Sequence, residues 1–231
     1  VILNTLYAFR AHKCTKTDYT IRPFLDKFAV CYLDDSLIYS ETLEEHRKHV
    51  TAVLDALPGA GLSVNREKSK FHVTKIVFLG YEISSGQLRM EPAKVAAIKD
   101  WPTPTSIKNI RAFIGFVNFY RMSIKDFGRI ARPLHDLIRK DADFTWGKEH
   151  EVAFRELCQR VISDPILQLP DPERPFEVET DASDLAMGRQ LGQRDDNGKL
   201  HTVAFFSKKL TGPQLNYPIY NKELLAIVEV F

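Results

Sequence analysis

The order of apolar and polar positions along this chain gives most of its elements before composition is considered. From Phe28 the pattern sharpens. Phe28-Ala-Val-Cys-Tyr-Leu and Ser36-Leu-Ile-Tyr-Ser are strand-like apolar runs separated by Asp34-Asp35, which predicts a β-hairpin with an acidic tip. Glu44–Ala56 repeats its apolar residues at helical spacing through Val50, Val53, Leu54 and Leu57, and Pro58-Gly-Ala-Gly is expected to stop that helix. Phe71–Ser84 is strand-rich and ends in the turn Ser84-Ser-Gly. Trp101-Pro-Thr-Pro-Thr is an extended linker, because each proline disfavours helix in the residue before it. Ser106 is placed to cap a helix whose stripe runs through Ile107, Ile110, Ile114, Val117 and Arg121, widened by Phe113, Phe116, Phe119 and Tyr120. A short basic helix over Ile130–Lys140, a helix over Glu149–Ile162, strands Phe176–Thr180 and Val203–Ser207, and a helix from Tyr220 complete the reading. Residues 1–27 show no clear period and receive no element.

Charge divides the chain where composition alone does not. The formal net charge is only +2. Residues 93–140 carry 10 basic against 3 acidic side chains, whereas residues 141–231 carry 10 against 16. A basic middle beside an acidic end suggests modules with different tasks. Basic helices that grip a phosphate backbone are one reading of the middle, and a solvated helix surface is the other. No apolar run reaches the ~20 residues of a membrane helix, and the first residues lack the zones of a secretory signal. Cys14, Cys31 and Cys158 are scattered without metal spacing, which favours a reducing intracellular setting, cytoplasm or nucleus. A start without Met suggests a fragment.

Tyr32-Leu-Asp-Asp between apolar strands resembles the Tyr-x-Asp-Asp box of reverse transcriptases. By itself the tetrapeptide is more often only turn chemistry. Its surroundings are similar to gypsy-type LTR retrotransposon enzymes: Arg22-Pro-Phe-Leu-Asp-Lys-Phe before it, and after it Leu37-Ile-Tyr-Ser, Leu62-Ser-Val-Asn-Arg-Glu-Lys-Ser-Lys-Phe and Phe78-Leu-Gly-Tyr-Glu-Ile-Ser. The likeness continues through Trp101-Pro, Ile110-Arg-Ala-Phe-Ile-Gly-Phe-Val-Asn-Phe-Tyr-Arg, Ala131-Arg-Pro-Leu, Phe176-Glu-Val-Glu-Thr-Asp-Ala-Ser and Tyr217-Pro-Ile-Tyr-Asn-Lys-Glu-Leu-Leu-Ala-Ile. It covers roughly residues 21–231.

This resemblance implies an α+β chain in four stretches. Residues 1–27 are unassigned, 28–92 are the C-terminal half of a polymerase palm, 93–143 are a thumb or connection, and 144–231 are the N-terminal part of an RNase H-like module. It implies an RNA-directed DNA polymerase and RNase H acting on RNA or DNA template–primer and on RNA–DNA hybrid, with dNTP as substrate. Asp34 and Asp35 would hold Mg²⁺ at the polymerase site, and Asp181 and Glu223 at the nuclease site. Hard oxygen ligands suit Mg²⁺, and paired ions stabilise both attacking and leaving oxygens in phosphoryl transfer. Tyr32 belongs to the box, Lys68 would lie near the incoming nucleotide, and Phe78, Leu79, Gly80 and Tyr81 would grip the primer. Glu223 shares a helical stripe with Tyr220 and Ile227, which is expected to face the sheet.

The sequence departs from the family at several points. The family's third palm carboxylate lies on an upstream strand, and nothing before Arg22 resembles that strand. Further nuclease carboxylates are absent as well, so two remain at each site and the isolated chain is expected to be inactive. The alternatives are a non-catalytic nucleic-acid-binding remnant and the product of a decayed element. Ser36 stands where a branched apolar residue is usual, and Arg189 where a small one is, so Arg189 is expected to sit badly if it faces the core.

Overall fold

A computed structural model describes residues 5–10, 19–33, 35–140, 143–163, 166–183 and 186–229, with residues 5–10 described by their backbone alone. The chain divides into two compact units, Val1–Glu91 and Pro92–Phe231.

In the first unit β2 (Ala29–Tyr32) and β3 (Asp35–Ser40) form the expected hairpin, in register from Ala29 opposite Ile38 to Tyr32 opposite Asp35. β1 (Thr5–Arg10) pairs antiparallel with β3 on one side and with β4 (Lys70–Val73) on the other, so the sheet order is β2-β3-β1-β4. Sequence reading left that first strand unassigned. A six-residue strand gives too short a pattern to identify until a neighbour pairs with it. Helix α1 (Leu43–Gly59) starts at Thr42, whose Oγ1 accepts a hydrogen bond from the Glu45 amide at 3.2 Å, with Glu44 and Glu45 in the favourable first turn. Its buried side carries His46, Val50, Val53 and Leu57, which close over Ile21, Ile38 and Leu62. Pro58 does not stop the helix as expected but sits in its last turn. The stop comes at Gly61, whose φ of +67° lets the Leu62 amide donate back to Leu57.

Strands β5 (Lys75–Phe78), β6 (Tyr81–Ser84) and β7 (Gln87–Met90) form an antiparallel meander that buries Ile76, Phe78, Ile83 and Met90. The turn between β5 and β6 places Leu79 at φ +50° and Gly80 at +77°. A two-residue hairpin turn with both central residues left-handed matches the strand twist.

The second unit opens with α2 (Pro92–Lys99) and α3 (Ile107–Phe119). Ser106 caps α3 as expected, its Oγ accepting from the Asn109 amide at 3.2 Å. The buried stripe is Ile110, Phe113, Ile114 and Val117, while Phe119 turns outward. The short helices α4 (Phe127–Ile130) and α5 (Arg132–Asp136) lead to α6 (Lys148–Ile162). Phe154 of α6 meets Phe113 of α3 with ring centroids 4.6 Å apart, and Trp146 closes the cluster from the side. After the short strand β8 (Leu167–Gln168), β9 (Glu177–Ala182), β10 (Ala186–Arg194) and β11 (Leu200–Lys209) form an antiparallel sheet in the order β11-β10-β9. Helix α7 (Ile219–Val228) packs on it through Ala226, Leu225 and Met187. The architecture is mixed α+β, as expected. Among the described residues no helix is long and apolar enough to cross a membrane.

Candidate functional site

At the first hairpin, Tyr32 ends β2 and is largely exposed, and Leu33 occupies the turn at φ +55°. Asp35 opens β3 half-buried, directly opposite Tyr32, and Asp34 lies outside the described residues. Ser36, expected to be out of place, is fully buried but satisfied, its Oγ 3.4 Å from Cys31 Sγ across the ladder. Lys68 is exposed at the end of a short 3₁₀ turn held by Asn65, whose Oδ1 accepts from the Lys68 amide. Phe78 is buried, whereas Leu79, Gly80 and Tyr81 are half-buried around the β5–β6 turn. For Phe78 the structure therefore shows a sheet-core role, which leaves the turn beside it to make outward contacts.

The hairpin rests on polar groups that sequence reading passed over. Ser40, at the base of β3, has its Oγ 2.8 Å from His49 Nδ1 and 3.3 Å from His46 Nδ1. His49 stacks on Phe28, at a 3.8 Å centroid distance and an angle of 2°. The His-x-x-His spacing at 46 and 49 was the signal available, since residues three apart share a helix face.

In the second unit Asp181 lies exposed on β9 and pairs with Gly188 of β10. Side chains alternate along a strand. Met187 and Arg189 face α7, and Gly188 and Asp181 face the opposite side, where α4 begins. A Cβ on Gly188 would stand 3.3 Å from Asp126 Oδ1, so that glycine makes room for a second carboxylate. Asp126, at φ +60°, and Asp181 share an open cleft of about 380 Å³ with Lys125, Glu179, Thr180 and Gln190. No sequence signal marked Asp126, because its approach to β10 depends on tertiary packing.

Glu223 is exposed on α7, and the stripe expected to face the sheet does not. Tyr220 and Ile227 are 67% and 47% exposed, while Lys222 and Ala226 are buried instead. The correction has a simple cause. The stripe was drawn one residue out of phase, and one residue on a helix is a rotation of about 100°. Asp181 and the helix bearing Glu223 thus lie on opposite faces of the strand pair. Among the described residues no three His, Cys, Asp or Glu side chains gather to hold a metal ion.

The Arg189 side chain is only 8% exposed, yet it is not simply misplaced. Its guanidinium lies over the Phe206 ring, 4.6 Å from the centroid, one Nη donates to the Glu229 carbonyl at 2.8 Å, and the Glu229 carboxylate is 3.5 Å away. Its Nε finds no partner. The Lys208 and Arg189 cations hold the Glu229 carboxyl below the usual carboxylate range, the Lys208 hydrogen bond contributing most.

The basic stretch 93–140 sorts into two sets. Arg121 donates to the Ser207 carbonyl, Arg129 pairs with Asp126, and Arg132, Arg139 and Lys209 surround Asp136. Lys94, Lys99, Lys108, Arg111, Lys125 and Lys140 are exposed and form no ion pair among the described residues; of these, Lys108 and Arg111 lie on α3. Lys108 and Arg111 share the outward face of α3 with Ala112, Gly115 and Asn118, and nothing lies within 4 Å of where a Gly115 Cβ would be.

Known proteins were then compared with this architecture. Residues 6–83 match the family model for reverse transcriptase (RNA-dependent DNA polymerase), and residues 146–231 match that for the RNase H-like domain found in reverse transcriptase. The first match reaches back into β1, beyond the stretch where sequence reading found a likeness. The Transposon Tf2-3 polyprotein of Schizosaccharomyces pombe is 36% identical over 204 residues, and the Tf2-7 polyprotein of the same yeast is 35% identical. These alignments take in 88% of this chain but only 15% of each polyprotein. Among solved structures, the foamy viral protease–reverse transcriptase dRH in complex with double-stranded DNA superposes with a TM-score of 0.85 at 20% identity, covering 100% of this chain and 47% of that one. The same viral protein in complex with RNA/DNA hybrid gives 0.84, also at 20% identity, over 100% of this chain and 36% of that one. Those likenesses establish the fold. The two family matches and the transposon relatives show that this chain is reverse-transcriptase sequence followed by RNase H-like sequence of the kind found in retrotransposon polyproteins.

Proposed function

We propose that this chain binds template–primer nucleic acid through the outward face of α3 and that, by itself, it is not a catalyst. The observation carrying this reading is the make-up of that face. Lys108 and Arg111 stand without acidic partners among the described residues beside the small residues Ala112 and Gly115, opposite a stripe buried in the core. Small residues let a helix approach a duplex surface closely, and flanking cations meet phosphates without reading bases. The neighbours' complexes with double-stranded DNA and RNA/DNA hybrid support nucleic acid as the partner class. In the longer protein the same region would present template–primer and hybrid to two phosphoryl-transfer centres. There Asp34 and Asp35 serve the polymerase centre and Asp181 the nuclease centre. Tyr32, Lys68 and the Leu79–Tyr81 turn contact dNTP and primer, in an intracellular setting, cytoplasm or nucleus.

Divalent ions, Mg²⁺ above all, are the cofactors this reading requires. The described residues, which do not include Asp34, do not form a seat for a pair of them: Asp181 and Glu223 are on different faces, and no three His, Cys, Asp or Glu side chains gather among them. Ligand number and geometry are what a protein contributes to such a centre.

A salt-titrated gel shift on a primer–template duplex tests binding. Affinity should fall linearly on a log–log plot, and the double variant Lys108→Ala/Arg111→Ala should lower the slope by about 2. Absence of salt-dependent binding would favour a decayed product without function. A primer-extension assay on the same chain should give no product. Extension abolished by Asp34→Asn would overturn the non-catalytic reading.

A further inference from the structure

Taking the β2–β3 hairpin as the carboxylate-bearing element, we propose that Ser40, His46 and His49 form a clamp that positions it, and that the clamp holds only while the buried His46 is neutral. The clamp reaches both legs of the hairpin from α1. On β3 it holds Ser40, one hydroxyl between two ring nitrogens. On β2 it holds the entry, where the His49 ring lies flat on Phe28 and the Phe28 carbonyl accepts from the Tyr39 amide at 3.0 Å. From Ser40 the strand runs through an unbroken register to Asp35. A strand displaced at its base therefore carries Asp35 with it, so Ser40 and His49 act as positioning residues.

The proton count makes the clamp conditional. A hydroxyl has one proton and two lone pairs. Ser40 can donate to one Nδ1 and accept from the other only if one ring is neutral with a bare Nδ1. Two imidazolium rings would offer two donors to one oxygen and leave the serine proton without an acceptor. They would also bring two cations together around a buried group. His46 is wholly buried, and its Nε2 has no hydrogen-bond partner, so an imidazolium there would hold an unsolvated N–H. The groups facing it are His49 from α1, His72 edge-on from β4 at 5.4 Å, and Ser40 from β3; the side chains of β1 lie outside the described residues. Burial, then His72 and His49, push the His46 imidazole down to about 4. Beside Ser40, Tyr39 is raised by burial and by Asp26, so it brings no charge in the acidic range.

Amide hydrogen exchange on the full 231-residue chain tests this, reading β2 and β3 relative to β6 of the same unit after correction for intrinsic rates. Hairpin protection should fall about tenfold between pH 7.5 and 4.5 in the native sequence, less than the full shift from an ordinary imidazole would allow. His46→Gln, which cannot titrate, should flatten that dependence. Should His46→Gln fail to fold, Ser40→Ala at pH 7.5 decides alone. Ser40→Ala should lose protection at both pH values, and Ser40→Thr, which restores a hydroxyl, should regain it. An undiminished acid response in His46→Gln, or hairpin protection unchanged in Ser40→Ala at pH 7.5, overturns the clamp. The readout is strand exchange, so its failure leaves the nucleic-acid reading standing. Loss of nucleic-acid binding, in turn, leaves the clamp intact.

Discussion

The β2–β3 and β9–β10 pairs each carry carboxylates close to a turn, yet they are supported in different ways. Beneath the first lies α1, which covers the strands with Val50, Val53 and Leu57 and adds a polar hold on each leg through Ser40 and Phe28. Beneath the second, α7 buries Lys222 and Ala226 and leaves Tyr220, Leu224, Ile227 and Val228 exposed. Its contact with β10 near Asp181 is Ala226 on Met187 and the Arg189 contact with Glu229. A site is held as rigidly as the side chains behind it are held, so the first pair has the better-supported carboxylate. The second pair is tied instead through its neighbour β11 to the helical segment before it: the Ser207 hydroxyl accepts from the Gly128 amide at 3.0 Å, and Lys209 reaches Asp136 at 2.8 Å.

The largest test of this contrast is to empty the helical core of the second unit. Phe154→Ala removes a fully buried ring that packs on Phe113, and should cost about 3–5 kcal/mol by chemical denaturation. Because the two units are separately compact, β2–β3 exchange should be little affected while β9–β11 protection collapses. A parallel collapse of the hairpin would show that the units are not independent.

Acid should separate the two units by a smaller margin. His46 is lowered in the folded state, so its contribution is complete above the ordinary imidazole value of about 6.5 and is lost as pH falls from there towards about 4. His135 in the second unit is also lowered, by burial first and then by Lys209, so that unit weakens in the same direction. Burial alone would raise the Asp136 carboxyl. The Lys209 hydrogen bond and charge, with Arg139 and Arg132, outweigh it and hold it below the usual carboxylate range. That contribution lasts until pH falls below the ordinary carboxylate value. The thermal midpoint of the first unit should therefore drop further between pH 7 and 5. Equal drops, followed by fluorescence and exchange, would remove the contrast.

The smallest expected effect concerns Arg189. Arg189→Met keeps the stem over Phe206 while removing the buried Nε and the partial ion pair. Replacing a buried ion pair by a well-packed apolar side chain is often close to neutral. A change in unfolding free energy under about 1 kcal/mol is expected. A loss several times larger would make the Glu229 contact the main tie between α7 and β10.

Much of this was legible early, for local reasons. The β2–β3 hairpin, the Ser106 cap and the buried stripe of α3 depend on residues within a few positions of one another, and the structure keeps them. Where the reading failed, partners were distant. β1 is defined by its ladder to β3, some thirty residues away, and the buried face of α7 by Met187 and Leu210. Arg189 looked like an error because the sequence could not show Phe206 and the Glu229 carbonyl arriving beside it.

From the order of residues alone came the family, the succession of elements and the residue types suited to metal and phosphate. Those features are fixed by short-range periodicity and by strings of adjacent side chains. Which carboxylates share a face, which imidazoles share a hydroxyl and which cations stay unpaired were decided by packing. Alternation along a strand and rotation about a helix turn a one-residue difference in phase into opposite sides of the molecule.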